Sequence, residues 1–278
     1  MKWQGRQGSG NIEDRRGMGL GLPVGGGIGG LVLLLLFSAL TGRNPADLIN
    51  STAPESGSVG TSGVGADDPQ AQFVSVVLAD TEQTWGEIFR QRGSTYEPPT
   101  LVLFTGATQS ACGVGQSEMG PFYCPNDRKV YLDLSFFRDL DQRFGAPGDF
   151  AQAYVVAHEV GHHVQTLQGL SSRVSAARER GSERDSNALS VRMELQADCY
   201  AGVWGHYAAQ RGLLEPGDAE EGLRAAAAIG DDRLQRQAQG RVVPESFTHG
   251  SSADRTRWLR RGLDSGNMDA CNTFASGT

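Results

Sequence analysis

The chain has 278 residues, which allows one large domain or two small ones with ample capacity for a hydrophobic core. Its formal net charge of -7 argues against a nucleic-acid-binding surface.

The N-terminal segment differs from the rest of the chain in charge. The first 16 residues carry four basic and two acidic side chains, whereas the whole chain is acidic. An uncharged stretch follows up to Gly42 and contains the strongly apolar run Leu31–Phe37. At 1.5 Å per helical residue, residues 18–40 would span roughly 35 Å, which is enough to cross a bilayer. We therefore predict one transmembrane helix over residues 18–40.

A cleaved signal peptide is the competing interpretation of this stretch. The long polar head and the unsuitable sequence Ser38-Ala39-Leu40 favour an uncleaved anchor. The basic residues place a cytoplasmic head at 1–17 and everything after the anchor outside the cytoplasm. Residues 41–69 are rich in Gly, Ser, Thr and Pro and are typical of a flexible linker. One large folded domain therefore remains at 70–278.

The predicted domain begins with a helix and two strands. Apolar residues recur at helical spacing over Gln70–Gln91, and Leu101–Phe104 and Val130–Asp133 are typical of strands. We expect the strand near Val130 to be able to bind an extended peptide if it lies at a sheet edge. Together with the later helices, this pattern predicts an α+β fold.

Four cysteines follow the predicted export anchor, at positions 112, 124, 199 and 271. An oxidising compartment and the lack of a C-x-x-C pair favour disulfides over zinc ligands or a catalytic thiol. Three pairings are possible. We favour Cys112 with Cys124, which closes a short loop beside the strands and leaves Cys199 to pair with Cys271.

The central motif is His158-Glu159-Val160-Gly161-His162. It lies in an apolar-periodic stretch that predicts a helix over about 149–168, with Asp149 as the N-cap and Gly169 just after the end. Residues four apart share one helical face, so both imidazoles can bind one metal ion. This spacing suits zinc, and Glu159 is placed to take a proton from a water molecule.

A second helix, predicted over about 188–210, supplies the remaining acidic side chains. Glu194 and Asp198 are four residues apart and project together among apolar neighbours, where unpaired carboxylates are costly. We predict that Glu194 completes a His-His-Glu zinc site with one Zn²⁺ per chain. We expect Asp198 to accept the ring N–H of a histidine ligand, His158 in the first instance.

Several of these segments together resemble a known family. H-E-x-x-H followed by E-x-x-x-D is the pattern of the gluzincins, and five segments are similar to the bacterial "putative neutral zinc metallopeptidase" family. These are Met1–Arg6, Asn11–Arg16, His158–His163, Glu194–Cys199 and His249–Arg255. The resemblance covers nearly the whole chain and implies a membrane-tethered zinc endopeptidase with a zincin-like fold, in which two active-site helices accompany a small sheet.

His249 and Arg255 follow the two predicted active-site helices. Thr248-His249 resembles a Thr-His-Pro segment of the CAAX-processing peptidases, which implies that His249 stabilises the oxyanion, although Gly250 replaces the proline. A lone surface histidine is the alternative. Arg255 can pair with Asp198 or another buried acid, or belong to a basic face with Arg257, Arg260 and Arg261. We expect His163 and His206 to be structural.

The predicted function is hydrolysis of peptide bonds in cell-envelope proteins by a metal-activated water. Its predicted partners are a peptide or protein substrate and, through the anchor, the cell membrane. The main alternative is a non-catalytic, zinc-stabilised assembly or protein-binding module. Glu159 favours the enzyme, because a purely structural zinc site needs no general base and usually has four protein ligands.

Overall fold

A computed structural model describes residues 1–17, 61–62, 64–65 and 67–275. Within these residues the chain forms eight α-helices and two small sheets, so the predicted α+β class is confirmed. The predicted transmembrane helix at 18–40 lies outside the described residues. Within them, the helices are all too short or too polar to cross a bilayer.

The strands are β1 (Ile12–Asp14), β2 (Thr61–Ser62), β3 (Thr100–Phe104), β4 (Ala107–Ser110), β5 (Gly113–Gln116), β6 (Phe122–Cys124) and β7 (Lys129–Asp133). The larger sheet has the order β2-β1-β3-β7-β6. Its strands β1, β3 and β7 are parallel, and the outer strands β2 and β6 are antiparallel to their neighbours. Strands β4 and β5 form a separate hairpin.

The helices are α1 (Pro69–Gln91), α2 (Ser135–Gln142), α3 (Asp149–Leu167), α4 (Leu170–Arg178), α5 (Glu183–Gln210), α6 (Asp218–Ala228), α7 (Asp231–Gln239) and α8 (Ser252–Ser265). The predicted helices over 70–91 and 149–168 agree with α1 and α3 to within one residue at each end. Helix α5 begins five residues earlier than predicted, because Ser182 and Asp185 form a capping box at its start.

Residues 1–17 are part of the same folded body as residues 67–275. Strand β1 pairs in register with β3, with Ile12 opposite Leu101. The Met1 ammonium is buried and lies 2.7 Å from the Asp149 carboxylate, 3.1 Å from Glu215 and 3.4 Å from Asp218. The predicted head therefore packs on the predicted domain instead of standing apart from it.

Two local predictions differ from the structure near these contacts. Gly148, not Asp149, precedes the first turn of α3, and the Asp149 carboxylate binds the Met1 ammonium. Within the predicted linker, Thr61 and Ser62 pair with β1. In both cases the partner, Met1 or β1, comes from the N-terminal residues that were predicted to lie in another compartment.

The core lies between the sheet and the helices. Side chains alternate along each strand, so Leu101, Leu103, Val130 and Leu132 face the main core, whereas Val102, Phe104 and Tyr131 form a smaller cluster on the opposite face. The disulfide Cys112–Cys124 joins the β4–β5 hairpin to β6. The disulfide Cys199–Cys271 joins α5 to the turn after α8. Both are the favoured pairings.

Strand β7, which contains Val130, is not at the sheet edge. It pairs with β3 on one side and with β6 on the other, so the expectation that it could bind a peptide by edge pairing is wrong. The edge strand on the β7 side of the sheet is β6, which follows a short 3-10 helix at Ser117–Met119. In the sequence, this segment is distinguished only as the stretch between Cys112 and Cys124.

Candidate metal centre

Helices α3 and α5 cross closely where the site is formed. Gly161 lies at the crossing, and a Cβ atom there would be 3.0 Å from the Ala197 carbonyl oxygen and 3.1 Å from its Cα. The lack of a side chain allows the two backbones to approach. This approach brings the imidazoles of α3 to the carboxylate of α5.

The three predicted metal ligands meet at one point. His158 Nε2 lies 3.1 Å from one carboxylate oxygen of Glu194, and His162 Nε2 lies 3.4 Å from the other. The three ligand atoms all lie within 4.8 Å of one another. Tetrahedral ligands at zinc-binding distances of about 2.0–2.1 Å are separated by roughly 3.3 Å, so these spacings suit zinc.

The ionic charges around the ligands also favour a divalent cation. With neutral imidazoles, the buried carboxylates of Glu159 and Asp198, the partly buried carboxylate of Glu194 and the buried guanidinium of Arg255 leave two negative charges. Burial alone lowers the pKa of His158, but Asp198 and Glu194 raise it to about 10. The site therefore attracts positive charge strongly, and Zn²⁺ with neutral histidines would balance it.

Asp198 is fully buried and holds the outer side of His158. Its Oδ1 accepts hydrogen bonds from His158 Nδ1 at 2.9 Å, the Tyr154 hydroxyl at 2.6 Å and Arg255 Nη2 at 2.9 Å. Arg255 Nε donates to Oδ2 at 2.9 Å. Burial raises the pKa of Asp198, but Arg255 and His158 outweigh it and lower that pKa to about 2. A carboxylate only accepts, so His158 carries its proton on Nδ1 and leaves Nε2 for a metal.

Close packing of α8 against α5 brings Arg255 to Asp198. A Cβ atom on Gly262 would lie 2.0 Å from the Cys199 carbonyl oxygen, and one on Gly202 would lie 2.2 Å from the Leu259 carbonyl oxygen. Paired glycines thus let the two helices touch backbone to backbone. Of the two interpretations of Arg255, the structure places it against Asp198, away from the exposed basic residues of α8.

Glu159 points into a cleft of about 570 Å³ that also exposes the three ligands. Burial raises the pKa of its carboxyl group, which makes it a better proton acceptor than an exposed glutamate. One wall of the cleft is the segment Glu118–Tyr123, which includes the start of β6. Apolar side chains on the other walls include Phe136, Phe144, Val155 and Leu234.

His249 lies at the cleft and is half exposed, with 53% of its side chain accessible. Its Nδ1 is 3.3 Å from Asp231 Oδ1, and Asp231 Oδ2 accepts the backbone N–H groups of Thr248, His249 and Gly250. The hydrogen bond with Asp231 is the main cause of a raised pKa at His249. His249 is therefore held by a carboxylate, unlike a lone surface histidine.

The other two histidines have structural contacts. His163 is buried beside Tyr123 and the backbone of Glu97, and His206 Nδ1 lies 2.8 Å from the Leu263 carbonyl oxygen. A second acidic group, formed by Asp149, Asp218 and Glu221, lies in space beside the N-terminal ammonium of Met1. The Met1 ammonium contacts two of its members, so this group has its own counter-ion.

Sequence reasoning missed Tyr154, Gln165 and Asp231. Tyr154 and Gln165 lie on α3 at four residues before His158 and three after His162, so helical spacing would have found them. Gln165 Oε1 lies 2.9 Å from His162 Nδ1. Asp231 reaches His249 only through the packing of α7 on the loop before α8, and no local pattern marks it.

Comparison with known proteins agrees with this geometry. The model of a family described as "Putative neutral zinc metallopeptidase" matches residues 1–274. The chain is 52% identical over 284 residues to "Uncharacterized protein YpfJ" of Escherichia coli (strain K12), covering 99% of each. It is 42% identical over 216 residues to "Uncharacterized protein Rv2575" of Mycobacterium tuberculosis (strain ATCC 25618 / H37Rv), covering 74% of this chain and 72% of that protein. No solved structure matches the chain.

Proposed function

Because this chain belongs to the "Putative neutral zinc metallopeptidase" family, we propose that it is a zinc endopeptidase that hydrolyses peptide bonds in cell-envelope proteins. The observation that carries the proposal is Glu159, a buried carboxylate beside a three-ligand set in an open cleft. Structural zinc usually has four protein ligands and needs no neighbouring base. A non-catalytic assembly module is the less favoured function for this reason.

His158, His162 and Glu194 would hold one Zn²⁺ ion. When bound, the zinc would supply a Lewis acid for the scissile carbonyl and would acidify a water molecule. Glu159 accepts the proton of the attacking water and passes it to the nitrogen of the leaving amine. Asp198 keeps the His158 proton on Nδ1 throughout, and Arg255 keeps Asp198 ionised.

His249 is the proposed donor to the oxygen that becomes negative during attack. Its raised pKa favours the protonated ring, which can donate from Nε2 while Nδ1 faces Asp231. Strand β6 is the proposed binding edge for an extended substrate, because it is an outer strand of the sheet and borders the cleft. The apolar walls favour large apolar side chains near the scissile bond.

The proposed location is outside the cytoplasm at the cell membrane. Two disulfides support it, because such bonds persist mainly in oxidising compartments. The apolar run Leu31–Phe37 supports membrane attachment. Any such arrangement must leave residues 1–17 and 67–275 on the same side, since β1 pairs with β3.

The test uses the purified full-length chain. We expect about one zinc per chain by elemental analysis, and cleavage of a diverse peptide library followed by mass spectrometry. Glu159→Gln should keep the zinc and lose cleavage by a factor of 10³ or more, on the order expected for loss of a general base. Glu87→Gln, at an exposed position on α1, controls for the loss of one negative charge. A zinc-loaded wild type that cleaves nothing, or an active Glu159→Gln chain, would favour the assembly module.

A further inference from the structure

A chain of buried amides runs from the metal ligand His162 to the C-terminal disulfide. His162 Nδ1 lies 2.9 Å from Gln165 Oε1, and Gln165 Nε2 donates to Gln196 Oε1 at 3.0 Å and to the Met193 carbonyl oxygen at 2.8 Å. Gln196 Nε2 donates to the Cys271 carbonyl oxygen at 3.0 Å. Both glutamine side chains are buried.

The direction of every hydrogen bond in this chain follows from its far end. A backbone carbonyl can only accept, so Gln196 presents its NH₂ group to Cys271 and its oxygen to Gln165. Gln165 must then present its NH₂ group to Gln196 and Met193, and its oxygen to His162. His162 consequently carries its proton on Nδ1, and the Nε2 lone pair is left to face the ligand site.

The position of Cys271 depends on the Cys199–Cys271 disulfide. This bond ties the short 3-10 helix Met268–Cys271 to α5, and the Cα atoms of the two cysteines are 5.5 Å apart. Cys199 lies one residue after Asp198, which holds the other histidine ligand. Thr273, two residues beyond Cys271, donates its hydroxyl to the Arg192 carbonyl oxygen at 2.7 Å, which is a further attachment of the turn to α5.

We infer that Gln165 and Gln196 are positioning residues for the metal ligand His162, and that the Cys199–Cys271 disulfide controls metal affinity through them. With the bond intact, the Cys271 carbonyl fixes both amides and hence the imidazole. Reduction by a dithiol transfers two electrons and two protons, so Cys199 and Cys271 become thiols while the dithiol closes to its own disulfide. Hydrogen bonds alone then hold the turn to α5, so the Cys271 carbonyl orients Gln196 less firmly. The hydrogen bond from Gln165 to Gln196 loosens as a result, while the Met193 carbonyl still accepts from Gln165.

This inference rests on the metal site of the proposed function but not on peptide cleavage. The first test is therefore a zinc competition titration of the full-length chain with a chromophoric chelator. We expect Gln165→Ala to weaken zinc binding about 10- to 100-fold, the usual effect of losing a group that orients a ligand. Gln168→Ala is the matched control, because Gln168 follows α3 directly and accepts a hydrogen bond from Tyr200, not from a ligand.

Non-additivity of the losses in zinc affinity shows whether Gln165 and Gln196 act through one series of hydrogen bonds. Gln196→Ala should weaken zinc binding in the wild type and add no further loss to Gln165→Ala. Additive losses, or a Gln165→Ala affinity within about twofold of wild type, would overturn the inference. The Co²⁺-loaded chain gives a second readout, because its visible absorption bands report the orientation of the histidine ligands and should shift in Gln165→Ala but not in Gln168→Ala.

The disulfide is tested in a chain carrying Cys112→Ser and Cys124→Ser, in which Cys199–Cys271 is the remaining bond. Reduction should weaken zinc binding, and the loss should vanish in the Gln165→Ala background. By thermodynamic reciprocity, saturating zinc should make this bond harder to reduce by the same factor. An unchanged reduction equilibrium would overturn the disulfide step. A wild type that binds no zinc would instead overturn the proposed function.

Discussion

At the scale of single residues, the site depends on a buried aspartate that joins a candidate metal ligand, His158, to an arginine. Asp198 contacts His158, Tyr154 and Arg255 and has no exposed surface. Removing its charge would free the His158 tautomer and leave a buried guanidinium without its partner. Its effect on metal binding can be separated from its effect on stability.

We expect Asp198→Asn to weaken zinc binding about 10- to 100-fold and to destabilise the fold by about 3 kcal/mol. Asp80→Asn is the matched control. Asp80, on α1, is also buried and paired with an arginine, Arg211, and its other side-chain partner is Trp204, so it does not contact the candidate metal ligands. It should lower the urea midpoint similarly and leave zinc affinity within about twofold. Equal zinc affinities in the two variants would contradict the assigned role of Asp198.

His163 gives the fold a dependence on pH. It is buried, accepts a hydrogen bond from Tyr123 and donates to the Glu97 carbonyl, and burial lowers its pKa to about 4. The unfolded chain takes up the proton near pH 6.5. The free energy of unfolding is therefore greatest above that pH and falls as the pH drops towards 4. Between pH 7 and pH 5 we expect a loss of about 2 kcal/mol from this group.

The measurement is urea unfolding of the zinc-free chain at both pH values. His163→Gln can keep both hydrogen bonds and cannot titrate, so its loss over the same interval should be smaller by about 2 kcal/mol. Identical pH dependence in the two chains would show that the pKa of His163 is the same in the folded and the unfolded chain, which would contradict the prediction. Working with zinc-free protein removes the contribution of proton release from the ligands.

The residues of the site were predictable to the extent that they share a helix. His158, Glu159 and His162, and likewise Glu194 and Asp198, follow from helical spacing and from the cost of unpaired buried acids. The pairing of Arg255 was one of two alternatives, because its partner is 57 positions away in the chain. Asp231 was missed for the same reason, since its contact with His249 depends on how α7 packs.

At the scale of elements, the glycines at the contact between α5 and α8 set the position of Arg255. We expect Gly262→Ala to destabilise the fold by about 3 kcal/mol, because the added methyl group would overlap the Cys199 carbonyl. The helices would have to move apart, which should also lower zinc affinity through Asp198. Thermal unfolding and zinc titration measure the two effects.

Gly86→Ala is the control for this substitution. Gly86 lies within α1, and a Cβ atom there meets nothing within 4 Å. Replacing it should stabilise the fold by about 0.5–1 kcal/mol through helix propensity. If Gly262→Ala were as well tolerated as Gly86→Ala, the α5–α8 contact could not be as close as described.

Periodicity predicted the long helices well and the edge of the sheet poorly. Helices α1 and α3 bury one face, so their apolar spacing is visible in the sequence. Strand β6 has three residues, and its place at the edge depends on which strands pair with β7. Sequence spacing gives no information about that choice, and the expectation placed on Val130 was wrong as a result.

At the scale of the whole molecule, the N-terminal residues restrict the ways in which the protein could be attached to a membrane. Their basic charge and the apolar run after them predict a head on the other side of the bilayer, but β1 lies between β2 and β3. A pairing between segments about 90 positions apart leaves no local pattern. Charge alone therefore could not show that Met1–Arg16 belongs to the same folded body as residues 67–275.

We expect exposed cysteines placed in both segments to react on the same side of the membrane. Gln7→Cys and Ala253→Cys are at exposed positions of the head and of α8. In spheroplasts expressing the full chain, a membrane-impermeant maleimide should label both to the same extent before lysis. Labelling of Ala253→Cys alone, with Gln7→Cys reacting only after lysis, would contradict the β1–β3 pairing in the cell.

Backbone hydrogen bonds hold β1 in the sheet, and the ion pairs of Met1 hold the start of the chain. The chain leaves β1 and returns at β2, which is the adjacent strand. A single backbone cut between residues 18 and 60 would therefore leave every described element in place. The product would be a two-chain protein, with a short N-terminal peptide bound to a large fragment. Proteolytic release of this protein from an attachment within that segment would not require loss of the fold that brings His158, His162 and Glu194 together.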